Sequence, residues 1–432
     1  MTFPGPGQAQ LPDATPVTRS ATAQATASPG DVPPSNRATY SQIFRIGEFA
    51  AVIVAHVISM LGTIVAEVAL TVLVYQRTHS SVLAALTLSL VFLPYLVGGS
   101  ILSSAAARWR TRRTLVLCDV VSAVIVGVMA LPRLPVAPIF VLLFMLGLLA
   151  PVFQGVRAAT LPQILPPGAP YVLGRSVLRL ISQGAQVCGF AVGGLLLVAV
   201  SPRIALVVDA ISFLVSAAIL RTGTRERRPP ESTSQQSLMR ESLGSVAAVM
   251  KLPRLRKVMF IEWFLPTCAV APEALAAPYV SHLHLASNMV GFWLTAIPVG
   301  TVVGDVVVAR LLPTRWQRRI AIPSMASTAA ALLLFVVQPG FSIAFAFLVA
   351  VGLGGSYQPA VDQELIDASP AQLQAAALSI NTAGLMFFQG IGFTVWGAIG
   401  EALTPSAVVT VAGVVALLVV VFFHPWSVRH AR

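Results

Sequence analysis

The sequence predicts an all-α membrane protein whose twelve transmembrane helices form two six-helix bundles. Of its 432 residues, 56% are apolar and only 10% are charged, which leaves too little polar surface for a soluble protein of this length. Apolar runs of about 20 residues, the length of a helix that crosses a bilayer, recur along nearly the whole chain. The arginines lie in short clusters between these runs, as in the cytoplasmic loops of membrane proteins. The net charge of +12 therefore indicates membrane topology and not nucleic-acid binding.

Breaks rich in proline and glycine, such as PRLP (132–135) and PPGAP (166–170), separate the apolar runs. The runs between the breaks are the predicted helices, at 44–75, 82–106, 114–132, 136–163, 173–200, 203–221, 257–281, 289–312, 319–337, 341–361, 372–399 and 405–424. An even number of helices puts both chain termini on one side of the membrane. On the opposite side this assignment places few basic residues, namely Arg77, Arg133 and Arg203, so both termini are predicted to be cytoplasmic.

Composition also divides the chain into predicted domains. Residues 1–42 are rich in Pro, Ala, Thr, Ser and Gly and are predicted to form a disordered cytoplasmic tail, without the features of a signal peptide. Residues 43–221 form the predicted N-terminal bundle and residues 257–425 the C-terminal bundle. The polar stretch 222–256 is the predicted cytoplasmic linker between them, and residues 426–432 form a short cytoplasmic C-terminal tail.

The two halves repeat weakly. Displacing the sequence by 206 residues superposes several ionisable positions, namely Glu67 on Glu273, His56 on Glu262, and Arg112-Arg113 on Arg318-Arg319. Two bundles related as parallel repeats are a known plan for secondary transporters.

Four stretches resemble the major facilitator superfamily, in particular the branch of the enterobactin exporter and the macrolide-efflux proteins. They are SILSSAAARWRTRR (100–113), LVLCD (115–119), FQGVRAATLPQIL (153–165) and ALVVDAISFLVSAAIL (205–220), the last being fairly specific to this branch. The resemblance covers about residues 43–425. It implies the major facilitator fold and a secondary transporter of the bacterial inner (plasma) membrane. Such a transporter is usually a proton-coupled exporter of amphipathic small molecules, such as antibiotics or siderophores.

The sequence departs from the family pattern at three positions. The loop between helices two and three has Ser103 where the family has glycine and Ala107 where it has aspartate, and Thr63 replaces an acid common in the first helix. The loop therefore lacks part of its charge-pair latch. Its remaining basic residues, Arg112 and Arg113, are predicted to contact helix ends or anionic lipid. The repeat extends this gating or structural role to Arg318 and Arg319.

Ionisable residues inside apolar runs give the candidate site, because an ionised side chain at mid-bilayer costs from about 3 to more than 10 kcal/mol. His56, Thr63 and Glu67 lie at i, i+7 and i+11 and share one helix face, and Glu262 and Glu273 repeat the 11-residue spacing. By resemblance, the first and seventh helices line the central cavity. We predict that Glu67 and Glu273 form a coupling pair at which protons and a cationic substrate compete, with His56 as a relay.

Two other interpretations of these residues stay open. Glu67 lies far enough along its helix to reach the external interface, and Glu262 lies near Arg256 and Lys257, with which it could pair. Asp119 and Arg157 both lie near the cytoplasmic face on neighbouring helices, and we predict a structural or gating ion pair between them.

Two further features concern contacts between helices. Asn381, Phe388 and Trp396 in the eleventh helix are predicted to offer polar and aromatic contacts to the substrate, with lipid or core packing as the alternative. The GxxxG pairs Gly189/Gly193 and Gly300/Gly304 are predicted to form the sliding surface between the bundles.

The remaining motifs exclude other function classes. Cys118, Cys188 and Cys268 are far apart, so no metal site is predicted, and the GxxxxGK[ST], HExxH and GxSxG patterns are absent. We therefore predict no enzyme and no cofactor. The predicted partners are a small-molecule substrate, protons and membrane lipid, with no nucleic acid, and the protein is predicted to be a monomer. An importer with the same fold stays open, whereas a non-transporting receptor is disfavoured because the cytoplasmic parts are short.

Overall fold

The computed structural model describes residues 39–95, 110–166, 168–227, 244, 246–311 and 314–428. The predictions for residues 1–38, for linker residues 228–243 and 245, and for residues 429–432 lie outside the described residues. The departures at Ser103 and Ala107 also lie outside them.

The described part of the first half consists of helices. They are α1 (Tyr40–Phe44), α2 (Gly47–Thr78), α3 (Ser81–Phe92), α4 (Thr111–Met129), α5 (Val136–Ile164), α6 (Ala169–Ala199) and α7 (Pro202–Gly223).

The second half is helical in the same way. Its helices are α8 (Pro253–Ala269), α9 (Ala271–Ala274), α10 (Ala276–His282), α11 (Met289–Leu311), α12 (Thr314–Leu333), α13 (Phe341–Gly354), α14 (Gln358–Ala368), α15 (Gln374–Ile399) and α16 (Pro405–Val428). Short 3₁₀ turns extend or join some of them, at Leu334–Val337, Gly355–Tyr357 and Ala371–Leu373.

The helices have the length and apolar character of membrane spans. Nine in the described ranges could cross a bilayer alone, and the bent group α8 to α10 makes a tenth. Helix α3 is a shorter apolar helix that runs up to residues outside the described set. The prediction of an all-α membrane protein is confirmed.

The seventh predicted helix is not continuous. Its residues form α8, α9 and α10, with a bend of 41° between Ala274 and Ala276. The physical reason lies in Pro272 and Pro278, since proline has no backbone N–H to donate and its ring interrupts helical hydrogen bonding. The break places Glu273 at the bend.

Close helix packing within each half depends on glycines that face a neighbouring helix. A side chain on Gly62 of α2 would collide with Asp209 and Ser212 of α7, so these helices can approach only with glycine there. Helix α2 also packs against α6, and α4 against α7. In the second half α8 packs against α15, and α11 against α13.

The two GxxxG pairs do not form the surface between the halves. Gly189 faces Ile64 of α2 and Gly193 faces Val68, whereas Gly300 and Gly304 face α13. The prediction of a sliding surface at these glycines is therefore wrong, because each pair packs helices within its own half.

A different pair of glycines brings the halves together. Helix α6 meets α11 at Gly194 and Gly291, where a methyl group on Gly194 would lie 2.8 Å from the Asn288 carbonyl oxygen. Helix α3 likewise packs against α15 of the other half.

Hydrogen bonds between the halves cluster where α2 ends and α3 begins, which we call the far end (residues 76–82, 130–135, 282–289 and 400–405). Gln76 Nε2 donates to Ser287 Oγ at 3.0 Å. Ser80 Oγ donates to Glu401 Oε1 at 2.6 Å. About two turns further in, Ser89 Oγ donates to the Gly390 carbonyl at 2.6 Å. These contacts hold the halves together at the far end.

Candidate functional site

A cavity of about 420 Å³ lies mainly within the first half. Helices α2, α4, α5, α6 and α7 supply most of its wall, and Thr382 and Met386 of α15 complete it from the second half. Its titratable lining residues are His56, Glu67, Tyr95, Cys118, Asp119, Arg157 and Asp209. Three carboxyl groups thus share the cavity with one guanidinium group. This charge pattern suits protons and cationic molecules.

The α2 face predicted from spacing lies on the cavity. His56, Thr63 and Glu67 all line it. The Thr63 hydroxyl is already used, since it donates to the Ser59 carbonyl at 2.9 Å within the helix. The Glu67 carboxyl group makes no hydrogen bond or ion pair within the described part of the chain. It therefore lines the cavity without a protein partner.

His56 holds Arg157 at the cavity wall. An Arg157 Nη1 nitrogen contacts His56 Nδ1, while His56 Nε2 lies 3.2 Å from Ser182 Oγ. A guanidinium group can only donate, so Nδ1 must be the acceptor. The imidazole is therefore neutral, with its proton on Nε2 directed at the Ser182 hydroxyl. The Arg157 guanidinium also lies 5.7 Å from the centre of the Phe153 ring.

The predicted contact ion pair between Asp119 and Arg157 does not form. Asp119 is 2% exposed and accepts a 2.6 Å hydrogen bond from Ser216 Oγ, and Arg157 is occupied by His56. The two charges interact only at longer range across the cavity. The prediction is wrong for this arrangement because each group finds a nearer partner on another helix.

Asp209 is a cavity residue that the predicted site does not include. It is 1% exposed, and its Oδ1 accepts a 3.2 Å hydrogen bond from Ser212 Oγ. Its Oδ2 has no partner in the described ranges. Asp209 and Glu67 interact electrostatically. The Asp-x-x-Ser spacing on α7 is compatible with the hydrogen bond between Asp209 and Ser212. The contact of both residues with Gly62 of α2 can be recognised only in the folded structure.

Glu273 lies beside the cavity and not in its lining. It is half-buried in α9, at the break of the bent span, and its carboxyl group interacts electrostatically with that of Glu67. The predicted pairing of these two acids therefore stays a prediction.

The predicted substrate contacts on α15 lie elsewhere. Trp396 Nε1 donates to the Thr267 carbonyl of α8 at 2.7 Å, and the Phe388 ring stacks on Trp263 at 5.3 Å. Asn381 is buried against Glu262. These side chains fasten α15 to α8, and the residues of α15 that line the cavity are Thr382 and Met386.

Basic residues at the ends of α4 and α7 form a cluster away from the cavity. Arg112 pairs with Glu226 at 2.8 Å and lies 3.5 Å from the Thr224 carbonyl, at the end of α7, while Arg113 lies 4.0 Å from Glu226. Arg227 pairs with Glu48 at the start of α2. The hydrogen bond that Arg227 donates to Glu48 raises the pKa of the Arg227 guanidinium group. In the second half, Arg319 is exposed and the Arg318 side chain lies outside the described set.

Comparison with known proteins identifies the architecture. A sequence profile of the Major Facilitator Superfamily matches residues 52–272 and 268–431. A search of curated proteins finds no significant match.

Solved transporter structures have the same fold. The nucleoside transporter NupG superposes with a TM-score of 0.67 at 12% identity, covering 88% of this chain and 98% of that one. A POT family transporter in complex with 5-aminolevulinic acid gives 0.69 at 12%, covering 88% and 96%. A D-xylose-proton symporter gives 0.64 at 13%, covering 88% and 97%.

Proposed function

We propose that this chain, which belongs to the Major Facilitator Superfamily, is a proton-coupled exporter of a cationic amphipathic small molecule. Membership of the family makes it a multi-pass membrane transporter and not an enzyme. The direction of transport, the proton coupling and the substrate class are the content of the proposal. Some antibiotics, siderophores and other secondary metabolites are molecules of this kind.

The charge of the cavity is the observation that carries the proposal. Glu67, Asp119 and Asp209 line it opposite a single guanidinium, Arg157. In a low-dielectric cavity three carboxylates cannot stay ionised without a cation nearby. Either protons or a positively charged substrate can supply that cation, and the two exclude each other. Such competition at one site is the basis of antiport.

Glu67 is the group we assign to this exchange. It has no hydrogen-bond partner within the described ranges, whereas Asp119 and Asp209 each accept from a serine. A carboxyl group without a protein partner is free to exchange a proton for a substrate ammonium group. The proximity of Glu273 adds repulsion between two carboxylates, which favours a proton on one of them whenever the substrate is absent.

The halves alternate between two arrangements in this proposal. The far-end hydrogen bonds close one end of the cavity, so the halves separate at the opposite end, where α2 begins. The loop arginines favour the cytoplasm for that opposite end, with both termini there and the protein in the plasma membrane. An exporter in this arrangement takes its substrate from the cytoplasm.

Transport by the purified protein in liposomes tests the proposal. A panel of lipophilic aromatic cations is loaded, and a proton gradient is imposed with and without an uncoupler. We expect cations to move against the direction of proton flow, and the uncoupler to stop them. Glu67→Gln should abolish this movement. Asp367→Asn, which removes an exposed carboxyl group outside the cavity, should retain it. Movement insensitive to the uncoupler, or full activity of Glu67→Gln, would refute antiport.

A proton-coupled importer is the second candidate, favoured by one observation. The D-xylose-proton symporter has the same fold at a TM-score of 0.64. The same liposomes distinguish the two, because a symporter moves its substrate in the direction of proton flow.

A further inference from the structure

A second polar pair lies outside the cavity, between α8 and α15. Glu262 of α8 is 3% exposed and Asn381 of α15 is 4% exposed. Asn381 Nδ2 donates to Glu262 Oε2 at 3.3 Å. Neither residue lines the cavity, so this pair is separate from the site assigned to Glu67.

Each member of the pair has one oxygen atom without a partner. Glu262 Oε1 and Asn381 Oδ1 are buried and accept no hydrogen bond from the described residues. Both atoms are acceptors if Glu262 is ionised, so they cannot satisfy each other. Leaving buried acceptors unpaired is unfavourable, and leaving a buried charge unpaired is more so.

The charged groups around Glu262 do not neutralise it. Its electrostatic partner on α14 is Asp362, another acid. On α8 itself, Arg254 is taken by Glu364, whose Oε1 lies 2.5 Å from Nη2, and Arg256 and Lys257 are exposed.

The other helices packed against α8 add no buried cation among their described side chains. Helix α15 has no charged residue, and neither does the 405–422 part of α16. Arg319 of α12 is exposed. Glu273 of α9 is a further acid, eleven residues along the chain, and the buried Tyr357 adds a neutral hydroxyl group near Glu262.

We propose that Glu262 and Asn381 form a second proton-binding site, in which one proton on Glu262 Oε1 closes a cyclic acid–amide pair. The proton makes Oε1 a donor, and Asn381 Oδ1 is the acceptor that lacks a partner. The existing Nδ2–Oε2 contact is the other half of the ring. One proton, taken from a hydronium ion that leaves as water, thus satisfies both unpaired oxygens and removes the buried charge.

The site links protonation to the contact between α8 and α15. With the proton bound, two hydrogen bonds join the helices. Without it, one hydrogen bond remains and Asp362 repels the charged Glu262. This inference does not rest on the proposed exporter function, because it concerns the protein alone.

Thermal unfolding of the purified full-length protein in detergent tests the proposal between about pH 5 and pH 9, a range in which ordinary carboxyl groups are ionised. Glu262→Gln can form both hydrogen bonds with Asn381 at every pH. We expect the wild type and Glu262→Gln to melt together at acidic pH. At alkaline pH we expect the wild type to melt at the lower temperature. Glu364→Gln, a carboxyl group paired with Arg254, should show no such divergence from the wild type as pH rises.

Infrared spectroscopy gives a second measurement that needs no transport. The wild type should show the carbonyl band of a protonated carboxylic acid at acidic pH, which Glu262→Gln lacks and which fades as pH rises. If Glu262→Gln does not fold, Asn381→Leu serves instead. Removing the acceptor should move the band to the higher frequency of an acid without a hydrogen bond.

Three results would overturn the proposal. Melting curves of the wild type and Glu262→Gln that stay parallel across the pH range would make Glu262 a permanently neutral structural residue. A lower melting temperature of Glu262→Gln at acidic pH would exclude the cyclic pair. If NaCl but not choline chloride stabilises the wild type, and neither salt stabilises Glu262→Gln, the site binds sodium and not a proton.

Discussion

Glu401 of the second half caps the first turn of α3 in the first half. Its Oε1 accepts hydrogen bonds from Ser80 Oγ at 2.6 Å and from the Val82 N–H at 2.9 Å. The unpaired N–H groups at a helix N-terminus favour a negative charge, so the carboxylate joins the halves at the far end.

Glu401→Gln should weaken closure of the far end. Because the site is exposed, the loss should be at most about 1 kcal/mol, or up to about a fivefold change in the ratio of closed to open states. Spin labels at Leu131 and Leu403, both exposed far-end positions, would report this as a larger population at long distance. Unchanged distance distributions would mean that Glu401 does not hold the far end.

Lowering the pH should weaken closure of the far end in the same way as Glu401→Gln. The hydrogen bonds from Ser80 and Val82 hold the pKa of Glu401 below its usual range. A group whose pKa is lowered in the closed state stabilises that state above its ordinary pKa, and this stabilisation is lost as pH falls through the lowered value. The far end should therefore loosen below about pH 4 in the wild type. In Glu401→Gln the labels should show no further loosening from this group.

Removing the acceptor of His56 should destabilise the cavity wall. His56→Phe leaves the half-buried Arg157 without its partner, at a cost of about 1.5–3 kcal/mol for a hydrogen bond to a charged group. His56→Gln keeps an acceptor oxygen and should be closer to the wild type. Chemical denaturation of the two variants measures the difference, and equal stabilities would show that the His56–Arg157 contact contributes nothing.

Gly194 should tolerate no side chain. Gly194→Ala places a methyl group against the backbone of Asn288 and Gly291, so α6 and α11 must move apart. Gly184→Ala on the same helix is the matched control, because its methyl group meets nothing within 4 Å. The control should be neutral or stabilised by up to about 1 kcal/mol, as for glycine to alanine in a helix. Far-end distances in Gly194→Ala that match those of Gly184→Ala would contradict the close crossing.

Trp396→Phe should lower stability without changing substrate affinity. It removes the hydrogen bond to the Thr267 carbonyl, worth about 1 kcal/mol, and the ring does not line the cavity. Thermal unfolding measures the first effect, and the KM for a transported cation measures the second. A large change in KM would restore Trp396 to the role of substrate contact that its sequence context suggests.

Residue spacing on a single helix predicted more of the site than any argument about pairs. His56, Thr63 and Glu67 share a face by periodicity alone, and all three line the cavity. Periodicity shows which residues share a helix face, but it does not show which helix packs against that face. The predicted partner of Arg157 is therefore Asp119, whereas its contact in the structure is His56. The approach of Asp209 to Gly62 of α2 is likewise not evident from spacing along α7.

The fold was predictable because it depends on long apolar runs and on loop charge, which are properties of segments. The break in the seventh span depends on Pro272 and Pro278 acting together, and a length criterion does not detect it. The aromatic and polar residues of α15 were assigned to substrate because such side chains often contact ligands. Trp396 instead donates to the backbone carbonyl of Thr267 on α8, and residue types in a sequence do not predict such a backbone acceptor.

The titratable groups of the cavity all belong to the first half, whereas α15 contributes only Thr382 and Met386 to its wall. The second repeat thus shapes part of the cavity wall but contributes none of its described titratable groups. Substitutions at Thr382 and Met386 can broaden or narrow the range of molecules accepted while the ionic chemistry of the first repeat is left intact. For the proposed transporter, we therefore expect substitutions at these two positions to alter the range of substrates without altering proton binding in the first repeat.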